Sequence, residues 1–355
     1  MTIIDRYAAH RLRESAQAML EHAGMPRDKA VAVADVLVEG DLLGHSTHGL
    51  QLLPTYLEQI SSGRLTLEGE PETLSDTAAV ALWDGKRLPG PWLMLRAIDS
   101  ASERARIYGL GAISIRRSHH IAALAVYARR VAEQGLVLLL MSSGPAGASV
   151  APFGGTDAVL SPNPLAVGFP TNQDPVLVDV SMSITTNTRT GLLARSNDRL
   201  PGLWLQDEHG LPTDDPAVLV PPRRGTLLPL GGVDAGHKGY GLALAVEAFT
   251  AGLAGDGRAD PGQMPFGATL FVQVVDPAAF GGASPFANQM DVIANRCRAS
   301  KAVDPARPVR VPGDRGLALR SEQLARGVAL SPGIAGWLRD QVDRLGLSPL
   351  VPVVA

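Results

Sequence analysis

LGAISIRRSHHIAALAVYARRVAEQGLVLLLMSSG, residues 110–144, is the stretch that decides the fold class. LGAISIRRS reads as a strand, HHIAALAVYARRVAEQG as a helix closed by a glycine, and LVLLLMSSG as a buried strand. Strand, helix and strand in succession predict a sheet covered by helices. Upstream, AAVALWDG reads as another strand and WLMLRAIDSASERARIYG as the helix after it. Downstream, AVLSPNPLAVGFPT, PVLVDVSMS and ATLFVQVVDP are further strand candidates. KGYGLALAVEAFTAGLAG reads as a helix started by a glycine-rich turn, and GLWLQDEHGLPTDDPAVL as a loop full of turn signals. The predicted class is α/β.

Both ends of the chain carry a helical pattern. Leu12, Ala16 and Leu20 recur at helical spacing before Gly24, and Pro26 suits the first turn of a second helix. That helix stops at Gly44. It delivers the stretch GDLLGHSTHGLQLLPTYL, residues 40–57, to a helix end, with His45, Ser46, Thr47 and His48 in the turn. The tail SEQLARGVALSPGIAGWLRDQVDRLG is again helical. The expected organisation is a helical segment, residues 1–75, packed with C-terminal helices in 315–355, around a central α/β body at 76–314.

Composition narrows the function. With 45% hydrophobic and 5% aromatic residues, the 355-residue chain suits a soluble α/β enzyme better than a disordered or fibrous protein. A formal charge of −3 and a pI near 6.2 supply no field for nucleic acid or an anionic membrane. The N-terminus lacks the basic start and apolar run of a signal peptide, and no apolar stretch reaches the length of a membrane span. A cytoplasmic protein acting on a small molecule is expected. The single Cys297 excludes an internal disulfide and any multi-cysteine metal site. Its setting, VIANRCRAS, reads as a helix in which the thiol is structural.

The chemistry starts with what is missing. No G-x-G-x-x-G follows a strand, so the ordinary dinucleotide fingerprint is absent. GGVDAGHKGYG, residues 231–241, has P-loop glycine spacing but lacks the magnesium-binding hydroxyl, which excludes an NTPase. A lysine there, Lys238, at a helix start still suits an anion, because backbone N–H groups and the helix dipole favour negative charge; a solvated lysine on a glycine-rich turn is the plain alternative. Four of the eight histidines form two clusters, His45 with His48 and His119 with His120. Neither has an acidic partner at helical spacing, so no metal is expected, although a metal-dependent hydrolase or lyase is the competing reading. Thr47, His48 and Asp179 make the third constellation. As a hydrolase triad it lacks the nucleophile elbow. As a proton relay, the imidazole is the acid and the carboxylate keeps it charged at neutral pH, which suits reduction of a carbonyl or imine.

GDLLGHSTHG, SHHIAALAVYA, SPNPLAVGFP, LVDVSMS, LPGLWLQDEHGLPTDDP, HKGYGLALAVE and VPGD occur in one order, from about residue 8 to 345. Together they resemble the type-2 malate/lactate dehydrogenase family, whose members include sulfolactate dehydrogenases and piperideine-2-carboxylate reductases. The resemblance implies a non-Rossmann NAD(P)-binding fold with a mixed sheet between helices, NAD or NADP as cofactor, and a homodimer with active sites near the subunit contact. It implies hydride transfer between nicotinamide and a 2-oxo or 2-hydroxy acid, or a related C=N compound. His48 takes the family's proton donor position, Thr47 that of its serine and Asp179 that of the charge-relay carboxylate. His120 matches a histidine beside cofactor and substrate, with acid–base duty in some members. Ser142, Ser143, Gly144, Asp179, Val180, Ser181, Lys238, Pro312, Gly313 and Asp314 match segments that line the dinucleotide. A non-catalytic dinucleotide-binding member is the remaining alternative.

Departures from the family pattern bear on the substrate. The family's carboxylate-gripping arginine is Leu52 here, and the residues of its HFG element are His120, Ile121 and Ala122. A two-pronged arginine clamp is a strong carboxylate ligand, and its loss costs binding. Arg116, Arg117 or Arg189 takes over, or the substrate has a different head group; weak turnover of malate and lactate is expected. His45 and Ser46 are expected to be structural.

Overall fold

The expected buried strands form the middle of a seven-stranded sheet. In a computed structural model the described residues are 5–260, 262 and 265–353. After a short strand β1 (Arg6–Tyr7), helix α1 (Ala9–His22) turns Leu12, Ala16, Met19 and Leu20 inward. Gly24, at φ 96°, allows the reversal into α2 (Arg27–Leu42). The C-terminal half of α2 is buried on every side, which is why it lacks an amphipathic pattern. Tight turns at Ser46–His48 and Leu50–Leu52 lead to α3 (Leu53–Ser61).

The body then runs β2 (Glu72–Thr77), β3 (Val80–Asp84), α4 (Gly90–Tyr108), β4 (Leu110–His119), α5 (Leu124–Ala132), β5 (Val137–Ser143), β6 (Leu165–Phe169) and β7 (Val176–Val180). Helix α6 (Asn187–Ser196) and a small sheet of β8 (Leu205–Gln206), β9 (Pro212–Thr213) and β10 (Thr226–Leu227) follow. Helix α7 (Gly232–Glu247), β11 (Gly267–Val275), α8 (Ala283–Arg298), α9 (Asp314–Arg326), β12 (Val328–Ala329) and α10 (Pro332–Arg344) complete the chain.

The large sheet has the order β2-β3-β4-β11-β5-β6-β7. Only β3 and β4 pair in parallel; every other neighbouring pair is antiparallel. The decisive strand–helix–strand unit is therefore real, but its strands are not neighbours: β11, far along the chain, fills the slot between β4 and β5. Side chains alternate across β11. Leu270, Val272 and Val274 join the core under α4 and α5, while Phe271 joins a second core with Val150, Leu205 and Ala243. The main core is continuous from Tyr7 to Leu350, and β1 pairs with β12 where the two chain ends meet.

Some expectations fail locally. Helix α7 begins at Gly232, so Lys238 sits in its second turn rather than at a helix start. The glycines of that stretch serve packing: a Cβ on Gly236 would lie 2.9 Å from the Phe153 ring, and one on Gly239 would run into the Leu230 backbone. The segment expected to be a loop contains the β8–β9 hairpin. Helix α5 starts only at Leu124, leaving His119 as the last residue of β4 and His120 in the connection. Cys297 lies on α8 as expected, but is exposed.

Candidate active site

Register brings the expected site residues to one edge of the sheet. Gly267 pairs with His119, Thr269 with Ser143, Leu165 with both Met141 and Val180, and Ala166 with Asp179. The ends of β4, β5 and β7 thus meet the starts of β6 and β11. The turn after α2 lies against this edge. Two cavities open there, of about 450 and 400 Å³, and His45 and Asp179 border both. Their sizes are those of ligand pockets.

The first cavity holds the chemistry. Thr47, His48 and His120 line it. Thr47 Oγ1 lies 2.9 Å from His48 Nδ1 and fixes that face of the ring. The His48 and His120 rings stack at 5.8 Å between centroids, 19° from parallel. The turn is tied to α2: His45 N donates to Gly40 O at 2.8 Å, and Leu50 N donates to the Asp41 carboxylate at 2.7 Å. Gly49 is required there, because any Cβ would enter the Asp41 carboxylate.

Electrostatics revises the expected relay. Burial pushes the His48 pKa below the ordinary histidine value; Asp179 opposes this and His45 adds to it. Burial wins, so the carboxylate does not keep His48 charged at neutral pH. Asp179 itself accepts from Ala125 N at 2.8 Å, capping the start of α5 instead of hydrogen-bonding the imidazole. His120 is a neutral group: burial and the neighbouring His48 and His119 push it down to about 3. Its Nδ1 accepts from Ala122 N at 3.0 Å, which leaves the proton on Nε2, and its carbonyl accepts from Tyr56 at 2.7 Å.

The remaining expected residues divide. Ser142, Ser143, Gly144 and Ser181 line the first cavity, Val180, Pro312 and Gly313 the second, and Asp179 lines both. Ser143 is committed to Thr269 and Thr250 through its hydroxyl. Lys238 is exposed and lines neither cavity. Asp314 is held in a two-pronged pair with Arg298 and also lines neither. Leu52 packs against the main core. Arg116 and Arg117 are both engaged by the buried Asp84, so neither is free to clamp a substrate. Arg189 lies over the Trp204 ring at 5.2 Å. His45, expected to be structural, borders both cavities. Sequence reasoning also missed Ser161, the first turn of α6 at Thr186–Thr188, and Arg315. Only SPNP, already prominent as a motif, carried a signal for Ser161.

Among the described residues no group of three or more His, Cys, Asp and Glu is placed to hold a metal ion. No helix among them is long and apolar enough to cross a membrane.

A histidine–hydroxyl pair and a two-compartment cleft at a mixed-sheet edge fit a dehydrogenase, and comparison with known proteins gives that class. The sequence profile of malate/L-lactate dehydrogenase matches residues 7–339, and the chain belongs to that family. It is 28% identical to malate/(S)-sulfolactate dehydrogenase of Methanothermus fervidus over 93% of this chain and 95% of that one. The fold is that of malate dehydrogenase from Pyrococcus horikoshii, with a TM-score of 0.87 at 25% identity over 99% of each chain. It also matches delta1-piperideine-2-carboxylate reductase from Pseudomonas syringae, with a TM-score of 0.83 at 27% identity over 94% of this chain and 99% of that one. The protein is an oxidoreductase with the mixed sheet between helices that its sequence implies.

Proposed function

We propose that the protein is an NAD(P)-dependent reductase of a 2-oxo acid or a related cyclic imine, with His48 as proton donor in reduction and acceptor in oxidation. The Thr47–His48 pair on the wall of the first cavity carries this reading. The two cavities meeting at His45 and Asp179 suit the two halves of a dinucleotide. Gly144 leaves its backbone open on the first cavity, and Ser142 and Ser181 supply hydroxyls. Such a cofactor supplies the hydride.

The chain's own residues supply the rest. Thr47 holds Nδ1 of His48, so the proton delivered to the substrate oxygen or nitrogen leaves from Nε2. His120, neutral with Nε2–H, is a hydrogen-bond donor to the same group rather than a source of charge. Positioned acid catalysis of this kind is worth roughly a hundred- to ten-thousandfold. Relatives named for malate, sulfolactate and piperideine-2-carboxylate cover both C=O and C=N substrates. Among the described residues no arginine or lysine lines the first cavity, which supports a substrate without the second carboxylate of malate.

The apolar Leu242, Leu244 and Leu253, exposed along one helical stretch, support a homodimer.

The test follows loss of reduced nicotinamide absorbance with acidic and apolar 2-oxo acids and cyclic imine carboxylates. Turnover of an apolar 2-oxo acid or a cyclic imine well above that of pyruvate and oxaloacetate is expected. Efficient use of oxaloacetate would overturn the substrate assignment.

A further inference from the structure

We infer that the second cavity receives the adenosine end of the dinucleotide and that Arg315 binds a 2′-phosphate there, making NADPH the preferred cofactor. This rests on the dinucleotide reading above. The first cavity carries the imidazoles and is therefore the reacting end. The second lies beyond the shared wall of His45 and Asp179, and Arg315 lines it.

Two charged neighbours at the start of α9 differ: Asp314, behind the cavity lining, is paired, and Arg315, on the lining, is not. An acidic residue beside a ribose site ordinarily favours NAD, by accepting from the 2′-hydroxyl. Asp314 is the candidate for that role, but its oxygens are taken. Arg298 Nη2 donates to Oδ1 at 2.7 Å, Arg298 Nε to Oδ2 at 3.1 Å, and Val311 N to Oδ2 at 2.9 Å. Arg298 also holds the Asp314 carboxyl below its usual range, with Arg310 adding to the effect.

Arg315, the next residue, has no ion pair or side-chain hydrogen bond among the described residues. It is exposed at the cavity rim, where a ligand reaches it without unfolding anything. A guanidinium fork matches a phosphate monoester, which carries nearly two negative charges at neutral pH. Gly313 and Gly316 seat the start of α9: a Cβ at either would lie 3.0 Å from the Leu177 backbone or 3.1 Å from the Leu43 backbone, so the glycines hold Arg315 close against these neighbours at the cavity. Asp179, on the wall shared with the first cavity, accepts from Ala125 N through Oδ2.

Dissociation constants for NADPH and NADH, read by quenching of nucleotide fluorescence without substrate, test the assignment. The wild-type protein is expected to bind NADPH at least tenfold more tightly than NADH, with the NADPH value weakening more steeply as salt rises. Arg315→Ala should erase most of that difference while NADH binding stays within about twofold. Arg315→Lys should recover part of it, and an unchanged melting temperature in both variants would separate lost contact from lost fold. Equal affinity for the two nucleotides in wild type, or an Arg315→Ala variant that weakens both alike or neither, overturns the role of Arg315 and leaves the dinucleotide reading standing. Failure of both nucleotides to bind overturns the two readings together.

Discussion

At His48 two effects pull in opposite directions, and in the role proposed for that ring their balance sets the pH dependence of turnover. Burial lowers the pKa, the Asp179 charge raises it, and burial is the larger. Reduction needs the protonated ring, so its kcat is expected to rise as pH falls below the ordinary histidine value, with oxidation favoured above it. Asp179→Asn removes the raising charge, so the acid limb should move to still lower pH; a profile shifted upward would contradict the assignment of charges. Ala122 offers a second test. It sits at φ 61° where the family pattern has glycine, a conformation costing an L-residue about 1 kcal/mol. Ala122→Gly should therefore raise stability to denaturant by up to about that amount, and a loss would mean the methyl packs better than the strain costs. The Thr47–His48 pairing was legible because the two are adjacent at a helix end. The protonation of His48 was not, since it depends on how deeply distant elements bury the ring.

The C-terminal end of α2 is the element that holds the reactive turn, through one buried carboxylate. Burial pushes Asp41 up to about 7, against the hydrogen bond from Leu50 that favours its charge. The folded protein thus holds this proton more tightly than the unfolded chain. The stability it contributes is full below about pH 4, where both states are protonated, and is lost as pH rises through 7. A displacement of that size corresponds to about 4 kcal/mol. Asp41→Asn keeps an acceptor for Leu50 without the charge, so its denaturant midpoint should fall less between pH 5 and 8 than that of wild type. An identical fall in both would place the pH dependence elsewhere. Helical periodicity revealed α2, α4 and α5, and apolar runs revealed β4 and β5. The insertion of β11 between those strands left no local trace, because pairing across such a separation is written in neither segment alone. The glycines of α7 misled for a related reason: backbone packing against Leu230 and a phosphate loop ask for the same residue.

On the scale of the whole molecule, one continuous core joins the helical ends to the sheet and aims a helix-end turn at the edge where strand ends converge. Motif order conveyed the class of fold and, on the first cavity, Thr47, His48, His120, Ser142, Ser143, Gly144, Asp179 and Ser181. The second cavity was only partly legible: its walls come from the turn after α2, from α5 and β7, and from the start of α9, segments far apart in the chain. The account stands on hydride transfer with His48 delivering the proton. It is tested most directly by comparing wild type with His48→Asn for oxidation of the reduced nicotinamide nucleotide by the best substrate, alongside nucleotide affinity. The account predicts that turnover falls roughly a hundred- to ten-thousandfold while nucleotide affinity stays unchanged. A His48→Asn enzyme that keeps its rate would contradict it and move the proton to another group.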